Sequence, residues 1–303
     1  MGNKSNILPY ITALAMNFIF GLSFLFSKRA LSVTDPITLL SFRFLIAFLV
    51  MTLLIVFRVI KVSYKNKPIK WLVILSFIEP VIYFIFETYG LQRTASSVGG
   101  LMIALIPMAV TILAVYFLNE RPSIKQSISI ILSVAGVILI VVMGSSDEKE
   151  SSVLGVMLLL GAVFSAAFFN IISRKISRKF NAIEITYFMM FSGAVCFNVI
   201  SISRLLIDKK LSYYFKPLSS AIFINSVLYL GILSSIVAYF LANYTLSKME
   251  ASRCSVFANI STIVSIIAGI LVLHESFYFY HIIGAIMILA GVWGTNYYYQ
   301  KSN

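Results

Sequence analysis

Ten apolar runs, each about long enough to cross a bilayer and separated by short polar breaks, govern what this chain can fold into. A hydrocarbon core of ~30 Å takes about 20 helical residues at 1.5 Å each. The runs fall at about 9–27, 36–57, 71–91, 98–118, 124–144, 153–173, 183–207, 221–246, 255–274 and 278–297. Lipid offers no hydrogen bonds, so runs of this length must satisfy their own backbone as helices. The longest breaks, 58–70, 145–151 and 208–217, leave no room for a soluble domain. The expected fold class is all-α integral membrane, with ten transmembrane helices. Asp35-Pro36 reads as an N-cap followed by proline at the first helical position, opening the second span.

Composition decides what the net charge of +13 means. Only 12% of residues are charged and 60% are hydrophobic, against about 25% charged in a soluble globule. The basic residues cluster between apolar runs, which points to loops beside anionic lipid and excludes nucleic acid as a partner. With the N-terminus placed inside, inner segments hold fifteen lysines and arginines and outer loops seven. The expected location is the prokaryotic plasma (inner) membrane, multi-pass, with both termini cytoplasmic. The first run lacks a small-x-small cleavage site and is followed by Lys28 and Arg29, so it reads as a span and not a leader. Cys196 and Cys254 show no metal or redox spacing and read as packing residues.

The chain contains a repeat. "SKRALSVTDPITLLSF" (27–42) aligns with "SRKISRKFNAIEITYF" (173–188), and "YFIFETYGLQRTAS" (83–96) with "YFLANYTLSKMEAS" (239–252). "NERPSIKQSISIILSVAGV" (119–137) aligns with "HESFYFYHIIGAIMILAGV" (274–292). Each unit is five helices, 1–146 and 147–303. Because five is odd, the second unit enters the membrane in the opposite orientation. Inverted-topology duplications place the transport site between the repeats near the midplane.

The chain resembles the EamA-type transporters of the drug/metabolite transporter superfamily. The carrying residues are "FGLSFLFSKRAL" (20–31), "RFLIA" (43–47), "LIPMAVTILAVYFLNE" (105–120) and "LGILSSIVAYFLANYTLSKMEAS" (230–252), and the resemblance covers essentially the whole chain. It implies paired five-helix repeats and alternating-access transport of small solutes, usually efflux, without naming a cargo. Arg43 fits the family's pattern, whereas Glu79 and Glu87 do not belong to its generic form.

The polar residues inside the spans are the candidate site. A charge in hydrocarbon costs several kcal/mol, so intramembrane ionisable residues mark function. Glu79, Tyr83 and Glu87 share one helix stripe, and their repeat partners are Ser235, Tyr239 and Asn243. The two stripes are expected to form two walls of one cavity, with helix-bridging hydrogen bonds as the competing reading. Pro80 removes a backbone donor beside Glu79. Counting 1.5 Å per residue puts Arg43 within about 4 Å of the depth of Glu87, which suggests an ion pair. Glu79 is then left without a cation and is the proton-coupling candidate. Asn17 and Asn170 are further cavity candidates, while Asn198 and Asn259 read as cavity contacts or helix bridges. Glu120 and Glu275 read as helix-end caps, and Glu184, beside Arg178 and Lys179, as an interfacial ion pair. "HESFYFYH" lacks the second histidine of a zinc helix, with Tyr278 in its place, so no metal is expected. No cofactor and no catalytic residues are expected, and the chain does not read as an enzyme.

The expected function is a secondary active transporter, an exporter of small organic metabolites such as amino acids or drug-like solutes, coupled to protons. Its partners are a small-molecule substrate and the lipid bilayer, with monomer or homodimer left open. The alternatives are a sugar-phosphate or nucleotide-sugar exchanger, whose cargo needs several intramembrane cations, a multidrug exporter of cations, which an unpaired acidic cavity would favour and two glutamates partly supply, and a non-transporting scaffold or lipid-flippase subunit.

Overall fold

The computed structural model describes residues 7–118, 123–144, 152–276 and 278–302. Glu120, the Arg121-Pro122 pair and the 145–151 break lie outside them. All regular structure among the described residues is helical. The segments are α1 (Leu8–Leu31), α2 (Pro36–Val56), α3 (Lys70–Gln92), α4 (Ser96–Ile103 continuing as Ile106–Leu118) and α5 (Ile124–Gly144). They continue with α6 (Val153–Ile176), α7 (Ala182–Ile207), α8 (Ala221–Lys248), α9 (Ala251–Val256 continuing as Ala258–Leu273) and α10 (Phe279–Ser302). Eight of these, α1–α4 and α6–α9, contain helix long and apolar enough to cross a membrane. In α5 and α10 the apolar helix found among the described residues is Ser127–Ile140 and Phe279–Gly294. The chain is a multi-pass helical membrane protein.

The repeat is visible in how the helices begin. Asp35 Oδ1 accepts from the N–H groups of Ile37 and Thr38 at 3.1 and 3.2 Å, with Pro36 at the first helical position of α2. At the equivalent position, Asn181 opens α7 by accepting from the Glu184 N–H, and the Glu184 carboxylate returns the bond to the Asn181 N–H. Both start signals hold the chain's first turn where four backbone donors would otherwise be unmet.

Packing between the halves survives exchange of one repeat for the other. α2 packs on its counterpart α7, α4 on α9, and α5 on α10. The remaining major contacts come in swapped pairs: α1 on α8 and α9 matches α6 on α3 and α4, and α2 on α8 matches α7 on α3. Lipid tails are as apolar as the side chains, so close approach drives such contacts. At the α5–α10 crossing a Cβ on Gly136 would lie 2.8 Å from the Gly284 carbonyl oxygen, so the two backbones meet only because both positions are glycine.

Polar groups tie the ends of the bundle. Glu184 pairs with Lys67 at 2.6 Å, not with its chain neighbours Arg178 and Lys179, because the 58–69 connection folds back over the start of α7. At the other end of the α2–α7 pair Arg204 meets Asp35 at 2.8 Å. Glu275 is a helix cap, but for a different helix: it accepts from the Ser96 and Ser97 N–H groups that open α4, at 2.6 and 3.0 Å. Lys28 of α1 donates to the carbonyls of Leu91 and Thr94 at the same end. Lys175 lies 5.0 Å over the Trp71 ring near the start of α3, and Arg174 donates to the Leu246 carbonyl near the end of α8. α3 and α8 therefore run antiparallel.

Candidate functional site

The third helix of each repeat is interrupted where the two cross the middle of the bundle. In α3 the α-helix gives way to a π-helical turn, Phe77–Ile82, and in α8 to a π-helical segment, Tyr229–Ala238. Proline disfavours helical geometry in the residue before it, and Glu79 sits at φ −145°, ψ 114°, with a cis bond to Pro80. The Tyr83 N–H bonds the Ile78 carbonyl, five residues back. Wide turns of this kind recur at functional sites. α8 comes very close to α2 beside this segment: a Cβ on Gly231 would stand 3.1 Å from the Arg43 carbonyl oxygen.

Between these two helices lies a cavity. Its wall includes Asn17, Arg43, Glu79, Tyr83 and Glu87 from the first repeat, together with Asn170 and Tyr239 from the second. Aromatic rings make up much of the remainder, with Tyr239 at their centre, 5.3 Å from Phe20, 5.9 Å from Phe169 and 6.2 Å from Phe84. The space offered is about 90 Å³, against roughly 300–1,000 Å³ for pockets that hold drug-sized ligands. This conformation is contracted.

The charged residues on the wall belong to the first repeat, and hydroxyls of α8 hold two of them. Arg43 is 1% exposed. Its Nε donates to Ser235 Oγ at 2.9 Å and its Nη2 to Ser234 Oγ at 2.8 Å. The wide turn of α8 is what lets two successive serines reach one guanidinium. Arg43 also lies 4.2 Å over the Phe84 ring. Glu79 Oε1 accepts from the Tyr239 hydroxyl, and Oε2 is buried without a partner among the described residues. Glu87 accepts from the neighbouring Thr88 hydroxyl at 3.4 Å, a long and weak contact.

These bonds correct the sequence reading. None of the ion pairs among the described residues includes Arg43 or Glu87. Counting residues matched their depth, but depth says nothing about direction around the helix, and Arg43 turns toward α8. Ser235 stands behind Arg43 and not on the cavity wall. Asn243 is also off the wall: it accepts from Ser173 and donates to Thr186, bridging α8 to α6 and α7. Asn198 is likewise a bridge, donating to the Ser41 carbonyl and accepting from Tyr214. Asn17 and Asn170, on the repeat-equivalent helices α1 and α6, reach the wall while bonding the carbonyls four residues back. The sequence reading missed Ser234, Phe84 and Cys254. The Ser234-Ser235 doublet was the available signal for the first. Cys254, read as packing, is buried against the cavity.

Two interrupted antiparallel helices, one from each half, frame a cavity that carries charged side chains on a largely apolar wall. The sequence profile of the EamA-like transporter family matches residues 7–142 and again 153–297. The chain belongs to the EamA-like transporter family. Within it, the chain is 40% identical over 292 residues to the uncharacterized transporter YcxC of Bacillus subtilis, covering 96% of this chain and 94% of that protein. It is 26% identical to a WAT1-related chloroplastic protein of Arabidopsis thaliana, over 98% of this chain and 71% of that one. A crystal structure of 15% sequence identity has the same fold, with a TM-score of 0.68 over 97% of this chain and 98% of the other. The two family matches coincide with the two halves of the EamA bundle that exchange in the packing.

Proposed function

We propose that this EamA-family protein is a proton-coupled secondary transporter of small organic solutes, built from ten spans in two inverted five-helix repeats in the plasma membrane. The observation that carries this reading is the cavity between α3 and α8, bounded by a pair of interrupted helices related by the repeat. Interrupted helices at a repeat interface are where such transporters bind cargo. Every polar bond that crosses this interface at the cavity, Arg43 to Ser234 and Ser235 and Tyr239 to Glu79, joins one repeat to the other. Rocking of the repeats breaks these bonds and opens the cavity to one side or the other. Glu79 is the proton carrier in this reading, because a carboxylate whose solvent access alternates can pick up a proton on one side and release it on the other. Export is the direction that the family resemblance supports, and the charge bias of the loops supports cytoplasmic termini.

A sugar-phosphate exchanger is the weaker reading, since one guanidinium shares the wall with two carboxylates. A scaffold has no use for a cavity that holds a buried carboxylate with an oxygen unbonded among the described residues.

Solute counterflow in proteoliposomes tests the proposal, with cargo first selected by thermal shift from a metabolite library. Tyr83→Trp and Tyr239→Trp should each reduce counterflow in protein that remains folded. Unchanged kinetics in both variants would remove the cavity from the transport path.

A further inference from the structure

We propose that the connection between α7 and α8 is a docking site for an anionic phospholipid: the segment Leu211–Ser219 lies in the bilayer interface, and the groove beside it takes the lipid phosphate on Lys216 and Ser220. The site is separate from the cavity between α3 and α8 and holds whether or not the protein transports.

Position supplies the first argument. The last turn of α7 exposes Leu206 and Ile207, the latter at 80%, so α7 borders hydrocarbon to its end. Asp208, Lys209 and Lys210 follow at once, and the Lys209 backbone, at φ 55°, turns the chain out of the helix. Leu211–Ser219 is a 3₁₀ helix that begins at this boundary. It exposes Leu211, Tyr213, Phe215 and Leu218. Tyr214 is buried instead, stacked on Phe42 at 4.8 Å and donating to Asn198 at 2.6 Å. Tyr214 therefore fastens the segment to the bundle while its large apolar side chains turn outward. Aromatic rings interleaved with lysines are the composition that the headgroup boundary favours.

Charge supplies the second argument. None of the ion pairs among the described residues includes Lys209, Lys210, Lys216 or Asp208. Three ammonium groups against one carboxylate leave a net charge of +2 on this connection. With the termini inside, it carries three of the seven lysines and arginines on the outer face, the face where the topology rule depletes them. Topology does not account for the cluster, whereas a negatively charged headgroup does.

The groove supplies the third argument. It offers about 420 Å³ between the α1–α2 turn, the end of α7 and the start of α8, within the range of roughly 300–1,000 Å³ for ligand sites. Its wall carries Thr34, Asp35, Tyr213, Lys216, Ser219 and Ser220. Asp35, the acid on this wall, is already matched: Oδ1 pairs with Arg204 at 2.8 Å and Oδ2 accepts from the Thr38 hydroxyl at 2.7 Å. Lys216 is not matched by an acid, and its ammonium lies 5.1 Å over the Tyr213 ring. The Ser220 side chain makes no cap bond at the start of α8. An ammonium and a hydroxyl, both open to a ligand, suit a phosphate oxygen. The exposed rings beside them suit the acyl chains that a lipid phosphate carries and a free phosphate lacks. A lipid held on Ser220 would also steady α8, whose Ser234 and Ser235 hold Arg43.

Purified full-length protein in a neutral detergent is titrated with dioleoylphosphatidylglycerol, dioleoylphosphatidylcholine and inorganic phosphate, and binding is read by thermal shift and native mass spectrometry. Phosphatidylglycerol should bind and stabilise the protein, and the other two should do so weakly or not at all. Lys216→Gln should weaken phosphatidylglycerol binding about fivefold, the usual scale for one lysine at a lipid surface, and Ser220→Ala should weaken it further in the same background. Lys65→Gln, at the other end of α2, should leave it unchanged. A second measurement reads placement: Phe215→Trp, in a background with Trp71→Phe and Trp293→Phe, is reconstituted in vesicles containing lipid brominated near the glycerol. The introduced indole should be quenched. Equal stabilisation by phosphatidylcholine or by inorganic phosphate would overturn the proposal. So would full affinity in Lys216→Gln, an equal loss in Lys65→Gln, or an indole that brominated lipid leaves unquenched.

Discussion

Tyr239→Phe isolates a single atom at the centre of the cavity. The variant keeps the ring that packs on Phe20, Phe84 and Phe169 and removes the hydroxyl that donates to Glu79. Since Glu79 Oε2 already lacks a partner among the described residues, both of its oxygens then stand unbonded in a buried site. A hydrogen bond to a charged acceptor contributes about 1.5–3 kcal/mol and one to a neutral acceptor about 0.5–1.5 kcal/mol. Tyr239→Phe should therefore lose about 2 kcal/mol of stability, measured by reversible unfolding in mixed micelles titrated with SDS. The double-mutant cycle with Glu79→Gln should show a coupling of at least about 1 kcal/mol, because the two groups share one bond. Additivity within about 0.5 kcal/mol would mean that the bond contributes nothing and that α8 does not hold the carboxylate.

Ser234→Ala combined with Ser235→Ala should cost about 3 kcal/mol in the same assay, because it strips a buried guanidinium of both donor contacts. Glu87→Gln should cost under about 1 kcal/mol, since the acid makes no ion pair, and a larger loss would restore the Arg43–Glu87 pair. Glu184→Gln should cost about 1 kcal/mol, a value reduced by the partial exposure of Lys67, and should loosen protection of the 58–69 connection in hydrogen exchange. Cysteines placed by Lys65→Cys and Lys209→Cys, in a background lacking Cys196 and Cys254, should react with impermeant reagents from opposite faces of the membrane. Reaction of Lys65→Cys with an impermeant reagent from outside intact cells would overturn the orientation, and reaction of both from the same face would overturn the span count between them.

Much of the architecture was legible in the residues because bilayer physics is a strict filter. Long apolar runs and the two repeat-equivalent start signals at Asp35 and Asn181 follow from one-dimensional rules. The break at Glu79 was legible through Pro80. The matching break in α8 was not, because Tyr229–Ala238 contains no proline. The same limit explains the site. Helical spacing put Glu79, Tyr83 and Glu87 on one stripe, and all three reach the cavity wall. The repeat then suggested that Ser235 and Asn243 would join them, yet each faces a neighbouring helix. The repeat carries over the order of the helices, whereas each side chain answers to its own neighbours. Arg43 is the clearest case: its depth was readable, and its direction depended on two serines from a helix nearly two hundred positions away.

The most direct test of the central claim is gradient-driven uptake in proteoliposomes carrying an internal pH dye, with Glu79→Gln beside the unaltered protein. The unaltered protein should concentrate its cargo against a gradient while the dye reports proton movement in the opposite direction. Glu79→Gln should still exchange cargo across the membrane at equal concentrations but should neither concentrate it nor move protons. A Glu79→Gln protein that concentrates cargo on a pH gradient as well as the unaltered one would contradict the account.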